Sequence, residues 1–339
     1  MTRICLTPRV HGVGGMVSFQ ARLAQGLAGR GVQVTTDLDD LPYEAVLVIG
    51  GTRDLRRLGR ARRQGVRIVQ RLNGMNWLHR RVRTGLKHYL RAEFGNRLLA
   101  LIRGHYADAI IYQSQFAHGW WERIYGPTRV PAHEVYNGVD LSAYTPDGPE
   151  QRPAERSRLL VVEGSLGGGY EMGLETAVSL AERLENAHSL RMEVMVVGKV
   201  APALEAAWKQ RERVPLQFAG LVSREQIPAL DRSAHLLYAA DINAACPNSV
   251  VEALACGLPV VSYDTGALPE LVSGEAGRII PYGGDPWRLD PPDLDALARG
   301  AVEVLAEQAR FRAGARRRAE EALGLEPMVD AYLDVLTAS

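Results

Sequence analysis

Short apolar runs alternate along the whole chain with longer stretches of 3.6-residue periodicity, the pattern of parallel strands joined by crossover helices. In the first half the runs predict strands at residues 4–6, 32–35, 46–49, 67–71, 109–112 and 134–136. Helices are predicted between them, notably over 17–28 and along an amphipathic stretch from 82 to 106. Residues 145–158 break the alternation: PDGPEQRPAERSR is polar, carries prolines and reads as an interdomain linker. The alternation then restarts, with strands at 159–163, 193–197, 216–219, 236–238, 260–262 and 278–280 and a helix over 174–184. Two doubly wound α/β domains are expected, residues 1–150 and 151–324, with their carboxyl strand ends facing a central cleft. From Pro292 onward the pattern is helical, and a last helix at about 325–339 is expected to cross back onto the first domain.

Composition narrows the class without changing this picture. The 339 residues suffice for two domains, and 46% hydrophobic residues with a net charge of +1 are those of a soluble globular chain. Residues 2–6 run straight into a strand and no apolar stretch approaches membrane-spanning length, so neither a signal peptide nor a transmembrane helix is expected. Cys5, Cys246 and Cys256 have no metal-ligand spacing and leave one cysteine over in any disulfide scheme, which points to a reducing, cytoplasmic compartment.

The balanced charge hides an uneven distribution. From Arg53 to Arg91 there are thirteen Lys and Arg against the single acid Asp54. The basic 53–91 region reads either as a solvated helix face or as a surface for anionic lipid headgroups or a phosphorylated acceptor; the lipid reading would make the protein peripheral on the inner face of the membrane. Nucleic acid is not expected, because aromatic residues to stack bases are sparse in this region.

Candidate chemistry concentrates in residues 241–270, DINAACPNSVVEALACGLPVVSYDTGALPE. A polar loop precedes a short helix that Asn248 or Ser249 is expected to cap, with Val251, Leu254 and Ala255 on one face and Glu252 pointing elsewhere. Gly257 supplies a left-handed terminator and Pro259 forbids continuation. A helix N-terminus beside the carboxyl ends of parallel strands is an anion site, and an acid one turn in is placed to accept both ribose hydroxyls. Two glycine-rich loops each precede a helix: Gly14 and Gly15 in the first domain, and Gly164 to Gly169 in the second. Both suit close approach of backbone amides to an anion, although a tight turn or a surface loop has the same composition, and neither carries the dinucleotide-binding spacing.

The ordered set of glycine loop, YQSQF, YNGVDLSAYTP, FAGLVSREQIPALDRSAHLLYAA and CPNSVVEALACGLPVVSYDTGALPELV resembles the retaining glycosyltransferases of family 4 (group 1), of GT-B fold. The resemblance spans nearly the whole chain. It implies two Rossmann-like domains facing a cleft, a nucleoside-diphosphate sugar held mainly by the second domain, an acceptor on the first, and no metal or other cofactor. Residue by residue, it carries ribose binding to Glu252, donor contacts to Pro247, Asn248, Ser249 and Val250, and Gly14 and Gly15 to a loop near the leaving phosphate or the acceptor; Gly164, from the second glycine-rich loop, and Asn243 are added as donor-binding candidates on this chain's own residues. Ser114, Asn137, Gly138 and Asp140 match positions that look structural, and Glu270 reads as a scaffold acid.

Departures from the family pattern bear on the chemistry. Where the family carries a glutamate eight residues before Glu252, this chain has Ala244, with Asp241, Asn243 and Asn248 as nearby substitutes. Where it carries an Arg and a Lys for the diphosphate, this chain has Ser165 followed by Leu166 and glycines, leaving amides, Lys199 or Arg224 to serve. Asn73 stands where the family often has a histidine, and with Asn248 it is the candidate catalytic group; an Asn-Gly turn is the plain alternative for Asn73 and Gly74. His11 and His79 are the imidazoles near these segments. No opposed carboxylate pair suited to glycoside hydrolysis is evident. The expected activity is metal-independent, retaining transfer of a sugar from a nucleotide sugar to a cell-envelope lipid or glycan, as in polysaccharide biosynthesis. The alternatives are a catalytically degenerate GT-B module that binds nucleotide or glycan, and a GT-B sugar-nucleotide epimerase.

Overall fold

The structure, a computed structural model, describes residues 2–12, 14–167, 171–210 and 213–338. It divides into two compact units, Met1–Gly138 with Leu325–Ser339, and Val139–Gly324.

Unit 1 runs β1 (Arg3–Thr7), α1 (Gly15–Gly29), β2 (Gln33–Thr35), β3 (Ala45–Ile49), α2 (Leu55–Arg63), β4 (Arg67–Leu72), α3 (Leu86–His105), β5 (Ala109–Tyr112), α4 (Gln115–Tyr125) and β6 (Ala132–Glu134). Its strands form one parallel sheet in the order β2-β1-β3-β4-β5-β6. The run AVLVI of β3 is buried at every position, as a central strand covered on both faces must be. Unit 2 runs β7 (Ser157–Ser165), α5 (Glu171–His188), β8 (Met192–Lys199), α6 (Pro202–Gln210), β9 (Leu216–Gly220), α7 (Ile227–Arg232), β10 (Leu236–Tyr238), α8 (Asn248–Ala255), β11 (Val260–Tyr263), α9 (Leu268–Leu271), β12 (Gly277–Ile280), α10 (Leu294–Ala306) and α11 (Gln308–Ala322). Its sheet is also parallel, ordered β12-β11-β10-β7-β8-β9, so successive strands are added outward on one side from β7 to β9 and on the other from β10 to β12.

The last helix, α12 (Leu325–Thr337), belongs to unit 1. Val329 sits where a side chain at Gly26 of α1 would be, 2.4 Å from the position of a Cβ, so the missing side chain lets the two helices close. Tyr332, Met328 and Leu336 join the core made by Phe19, Leu23 and Leu27 of α1 and by β1 and β3.

Three expectations shift. Strand β6 ends at Glu134 rather than Tyr136, because the main chains of Ala132, His133 and Glu134 pair with Ile110, Ile111 and Tyr112. This edge strand is largely exposed, so the apolar Val135 and Tyr136 were a poor guide to its position. Helix α3 starts at Leu86 because Gly85, at φ +85°, ends the preceding extended segment. The boundary between units falls after Gly138 and not at 150, and the polar segment is fastened to unit 2: Glu150 pairs with Arg232 at 2.6 Å, and the Thr145 carbonyl accepts from Arg232 Nη1 at 3.3 Å. Proline and charge read as linker, but ion pairing to unit 2 decides where the segment lies. Among the described residues no helix is long and apolar enough to cross a membrane.

Candidate functional site

The order of the unit 2 sheet creates a topological switch point between β7 and β10, where open α/β sheets receive ligands at their carboxyl strand ends. Glu163 and Gly164 lie at the end of β7, and the loop 241–246 follows β10. Gly198 closes the end of β8 against β7: at φ +141°, the Cβ of any other residue would stand 1.9 Å from the Glu163 carbonyl oxygen. The ladder is irregular just there, skipping from Val162 to Ser165, which pairs with Lys199.

The loop 241–246 is pinned from beneath. A Cβ at Gly266 would lie 2.4 Å from the Ala244 oxygen, and that oxygen accepts the Ala267 amide at 2.9 Å. Asn243 takes a left-handed conformation, φ +61°, which asparagine tolerates better than most residues. It is 4% exposed, and its Nδ2 has no hydrogen-bond partner. A buried amide donor without a partner is costly unless a ligand oxygen meets it.

Helix α8 follows. Neither Asn248 nor Ser249 caps it: Pro247 is the N-cap, extended at φ −69° and ψ 123°, and its carbonyl receives the amides of Val250 and Val251. The proline occupies the cap position with its ring, so Asn248 and Ser249 become the first residues of the helix, and their amides lie at its positive end. Glu252, expected to point away from the apolar face, is 6% exposed on a helix that is buried on nearly all sides. It lies near the fully buried Asp231 of α7, whose carboxyl is driven up by desolvation first and by the Glu252 charge second. Gly257, at φ +66°, ends the helix as expected of a C′ residue.

The electrostatics of this edge differ from what an anion site suggests. Burial pushes the Glu163 carboxyl up, and the facing Asp241 raises it further; burial raises Asp241 as well. Two acids so placed retain protons that isolated carboxyls lose, which lowers the negative charge beside the glycine loop. Lys199 is exposed and makes no ion pair among the described residues, and Arg224 is exposed beyond β9. Gly168 and Gly169 lie outside the described residues. Among the described residues no group of His, Cys, Asp and Glu is arranged to hold a metal ion.

Gly14, Gly15 and Asn73 belong to unit 1, and the other candidates to unit 2. Gly14, at φ +130°, is the N-cap of α1, which begins at Gly15 beside the β1–β3 switch point. The loop before it is held by Gln20, whose Nε2 donates to the Pro8 carbonyl at 2.9 Å and whose Oε1 accepts the Val10 amide at 3.0 Å. Asn73 stands at the carboxyl end of β4. Its main-chain carbonyl accepts from Trp121 Nε1 at 2.7 Å, and its Oδ1 accepts from Arg71 Nη1 at 3.3 Å. Since a guanidinium can only donate, the carboxamide is oriented with Nδ2 left to donate outward.

Arg71 is the residue that sequence reasoning missed. It is 1% exposed, donates to Asn137 Oδ1 at 2.9 Å and to the Tyr332 hydroxyl at 3.1 Å, and lies over the Phe19 ring at 3.6 Å. A polar pair, Gln70 and Arg71, inside a strand that the apolar Ile68, Val69 and Leu72 mark as buried was the available signal. Ser114 caps α4 through the Ala117 amide, Asp140 orders the turn at Ser142, and buried His79 pairs with Glu93, so all three hold structure. Glu270 falls in the first turn of α9, and His11 is exposed.

Residues 157–307 match the family model described as glycosyl transferases group 1. Among curated protein sequences, none matches this chain. Among solved structures, sucrose-phosphate synthase from Thermosynechococcus elongatus superposes with a TM-score of 0.76 at 17% identity, covering 100% of both chains. WaaG, a glycosyltransferase involved in lipopolysaccharide biosynthesis, gives 0.72 at 15% identity over 99% of this chain and 100% of its own. HepE from Anabaena, in complex with UDP and glucose, gives 0.72 at 14% identity over 100% of both chains.

Proposed function

Because residues 157–307 match the group 1 glycosyl transferase model and the chain has the GT-B fold, we propose that the protein transfers a sugar from a nucleoside-diphosphate sugar to a cell-envelope lipid or glycan, with retention and without a metal. The observation that carries this reading is the α8 N-terminus, with Asn248 and Ser249, standing beside the unit 2 switch point with Glu252 one turn in. The helix amides, with those at Gly164, take the diphosphate oxygens, and Lys199 adds a mobile cation. Pro247 and Val250 shape the entry, and Glu252 accepts the ribose hydroxyls. Asn243 Nδ2 donates to an oxygen of the donor, and Asn73 Nδ2 to a sugar or acceptor oxygen. Gly14 and Gly15 offer amides from unit 1. A departing phosphate oxygen accepts the acceptor's proton, so the protein needs no carboxylate base and works by positioning and charge stabilisation.

Incubation with a panel of nucleotide sugars, uridine diphosphate sugars first because HepE binds UDP and UDP-glucose, is expected to release nucleotide only when acceptor is present, and equally in EDTA. Silence across the panel from a folded protein sinks the reading. Ala244 and Ser165, where the family carries charged residues, favour a second reading, a binding module without turnover. Calorimetry that detects nucleotide binding with no release under any acceptor supports that reading instead.

The membrane component is supported by α3. Leu86, Tyr89, Leu90 and Phe94 are 74%, 41%, 59% and 54% exposed and lie at helical spacing on one stripe. Arg81, Arg83, Lys87 and Arg91 are exposed around it. Apolar groups rimmed by cations fit an anionic bilayer, each basic residue contributing about 1 kcal/mol near the surface. The protein is expected to sediment with phosphatidylglycerol vesicles at low salt, and Leu90→Glu with Phe94→Glu to weaken this about tenfold or more. Equal sedimentation of the double variant removes α3 from the proposal.

A further inference from the structure

At the opposite, amino end of the unit 2 strands lies a second cluster of charge. A pocket of about 440 Å³ is lined by Glu150, Gln151, Arg152, Pro153, Ala154 and His235, just ahead of β7 and β10. Three arginines from separate elements stand next to its lining residues: Arg158 on β7, whose amide donates to His235, Arg232 on α7, which bonds Glu150, and Arg312 on α11, which bonds the carbonyl of Ala234 beside His235. Two are neutralised. Arg232 Nε pairs with Glu150 at 2.6 Å, and Arg158 Nε pairs with Glu193 of β8 at 2.6 Å while its Nη1 donates to Ser233 at 3.0 Å.

Among the described residues the other two cations, Arg312 and Arg152, have no ion pair to an acid. Arg312 donates to the Ala234 carbonyl at 3.2 Å, and Arg152 is exposed. Burial and the Arg152 charge lower the Arg312 guanidinium to about 10, partly offset by Cys256 and Asp231. The fold thus holds like charges together, an arrangement that an anion relieves.

His235 completes the pocket as a neutral donor. Its Nδ1 accepts the Arg158 amide at 2.9 Å, so the neutral ring carries its proton on Nε2. Its main chain is fixed on both sides, donating to the Arg158 carbonyl at 3.0 Å and accepting from Gln308 Nε2 at 3.0 Å. Burial, then Arg152, Arg312 and Arg158, hold its pKa down to about 4, with Glu193 opposing.

We propose that this pocket binds a phosphate-type oxyanion, with Arg152 and Arg312 supplying charge and His235 Nε2–H a hydrogen bond. The site is separate from the carboxyl-end site in unit 2, and the proposal stands whether or not the protein transfers sugars. The oxyanion comes either from a free phosphate or soluble phosphate ester, or from a lipid headgroup.

The test uses the full chain with labelled histidines, followed by NMR. In saturating inorganic phosphate the His235 ring is expected to shift and its titration midpoint to rise from about 4, because a bound anion favours the imidazolium. Arg152→Glu, at an exposed position, is expected to weaken that response about tenfold or more, with nucleotide binding unchanged. Arg312→Lys, which keeps the charge but not the fork, is expected to weaken it less. A parallel titration with short-chain phosphatidic acid identifies the source: response to phosphate means a free oxyanion, response to the lipid alone a headgroup. No movement of His235 with either, or an identical response in Arg152→Glu, overturns the proposal.

Discussion

Glu252→Gln is expected to weaken nucleoside-diphosphate binding about 30- to 100-fold while leaving the fold as stable or more stable. Hydrogen bonds to a charged acceptor contribute about 1.5–3 kcal/mol each, and the proposed carboxylate accepts from two ribose hydroxyls. Glutamine keeps the volume and one acceptor, so part of the binding survives. Stability moves the other way because Glu252 lies near Asp231, a fully buried acid whose carboxyl it pushes up. Removing one of two like charges relieves that repulsion. Calorimetry with nucleoside diphosphates and a thermal melt on the same variant separate the two roles. Unchanged affinity with a lowered melting temperature would make Glu252 a structural acid and withdraw it from the site.

The parts of this molecule legible in the sequence are those governed by local period. Strands such as β5 and β10 and the Gly257 terminator are set by apolar runs and by one residue's backbone freedom, and the structure has them at the expected residues. Pairing between distant residues is another matter. Glu163 and Asp241 meet only because the sheet places β7 beside β10, an adjacency that crossovers decide and no local pattern reports. The same holds for Arg71, whose partners Asn137 and Tyr332 come from the end of the β6 segment and from α12. Helix α8 misled for a third reason. Its spacing set Glu252 apart from the apolar face, but in unit 2 α7 and α11 pack on α8, so Glu252 is buried along with that face. The cap was misassigned because asparagine and serine are good caps in general, while here the proline before them takes that geometry.

Tyr332→Ala is expected to destabilise unit 1 by about 3–5 kcal/mol, the usual range for removing a large buried side chain. Two losses combine. The ring is fully buried and packs on Phe19 with centroids 5.2 Å apart, so its removal leaves a cavity between α12 and α1. The hydroxyl accepts from Arg71 Nε at 3.1 Å, so the buried guanidinium also loses a hydrogen bond. Tyr332→Phe isolates that second loss, at about 1–3 kcal/mol. Hydrogen exchange localises both effects: amides of β1, β3 and β4 are expected to exchange faster in the variants, and those of β7 and β8 to keep their protection. Arg71 also bonds Asn73, so if the proposed transfer uses Asn73, Tyr332→Phe is expected to lower its rate more than nucleotide affinity, which the proposal assigns to unit 2. Uniform loss of protection in both sheets would mean that α12 supports more than unit 1, and unchanged exchange would mean that Tyr332 is not a stabilising contact.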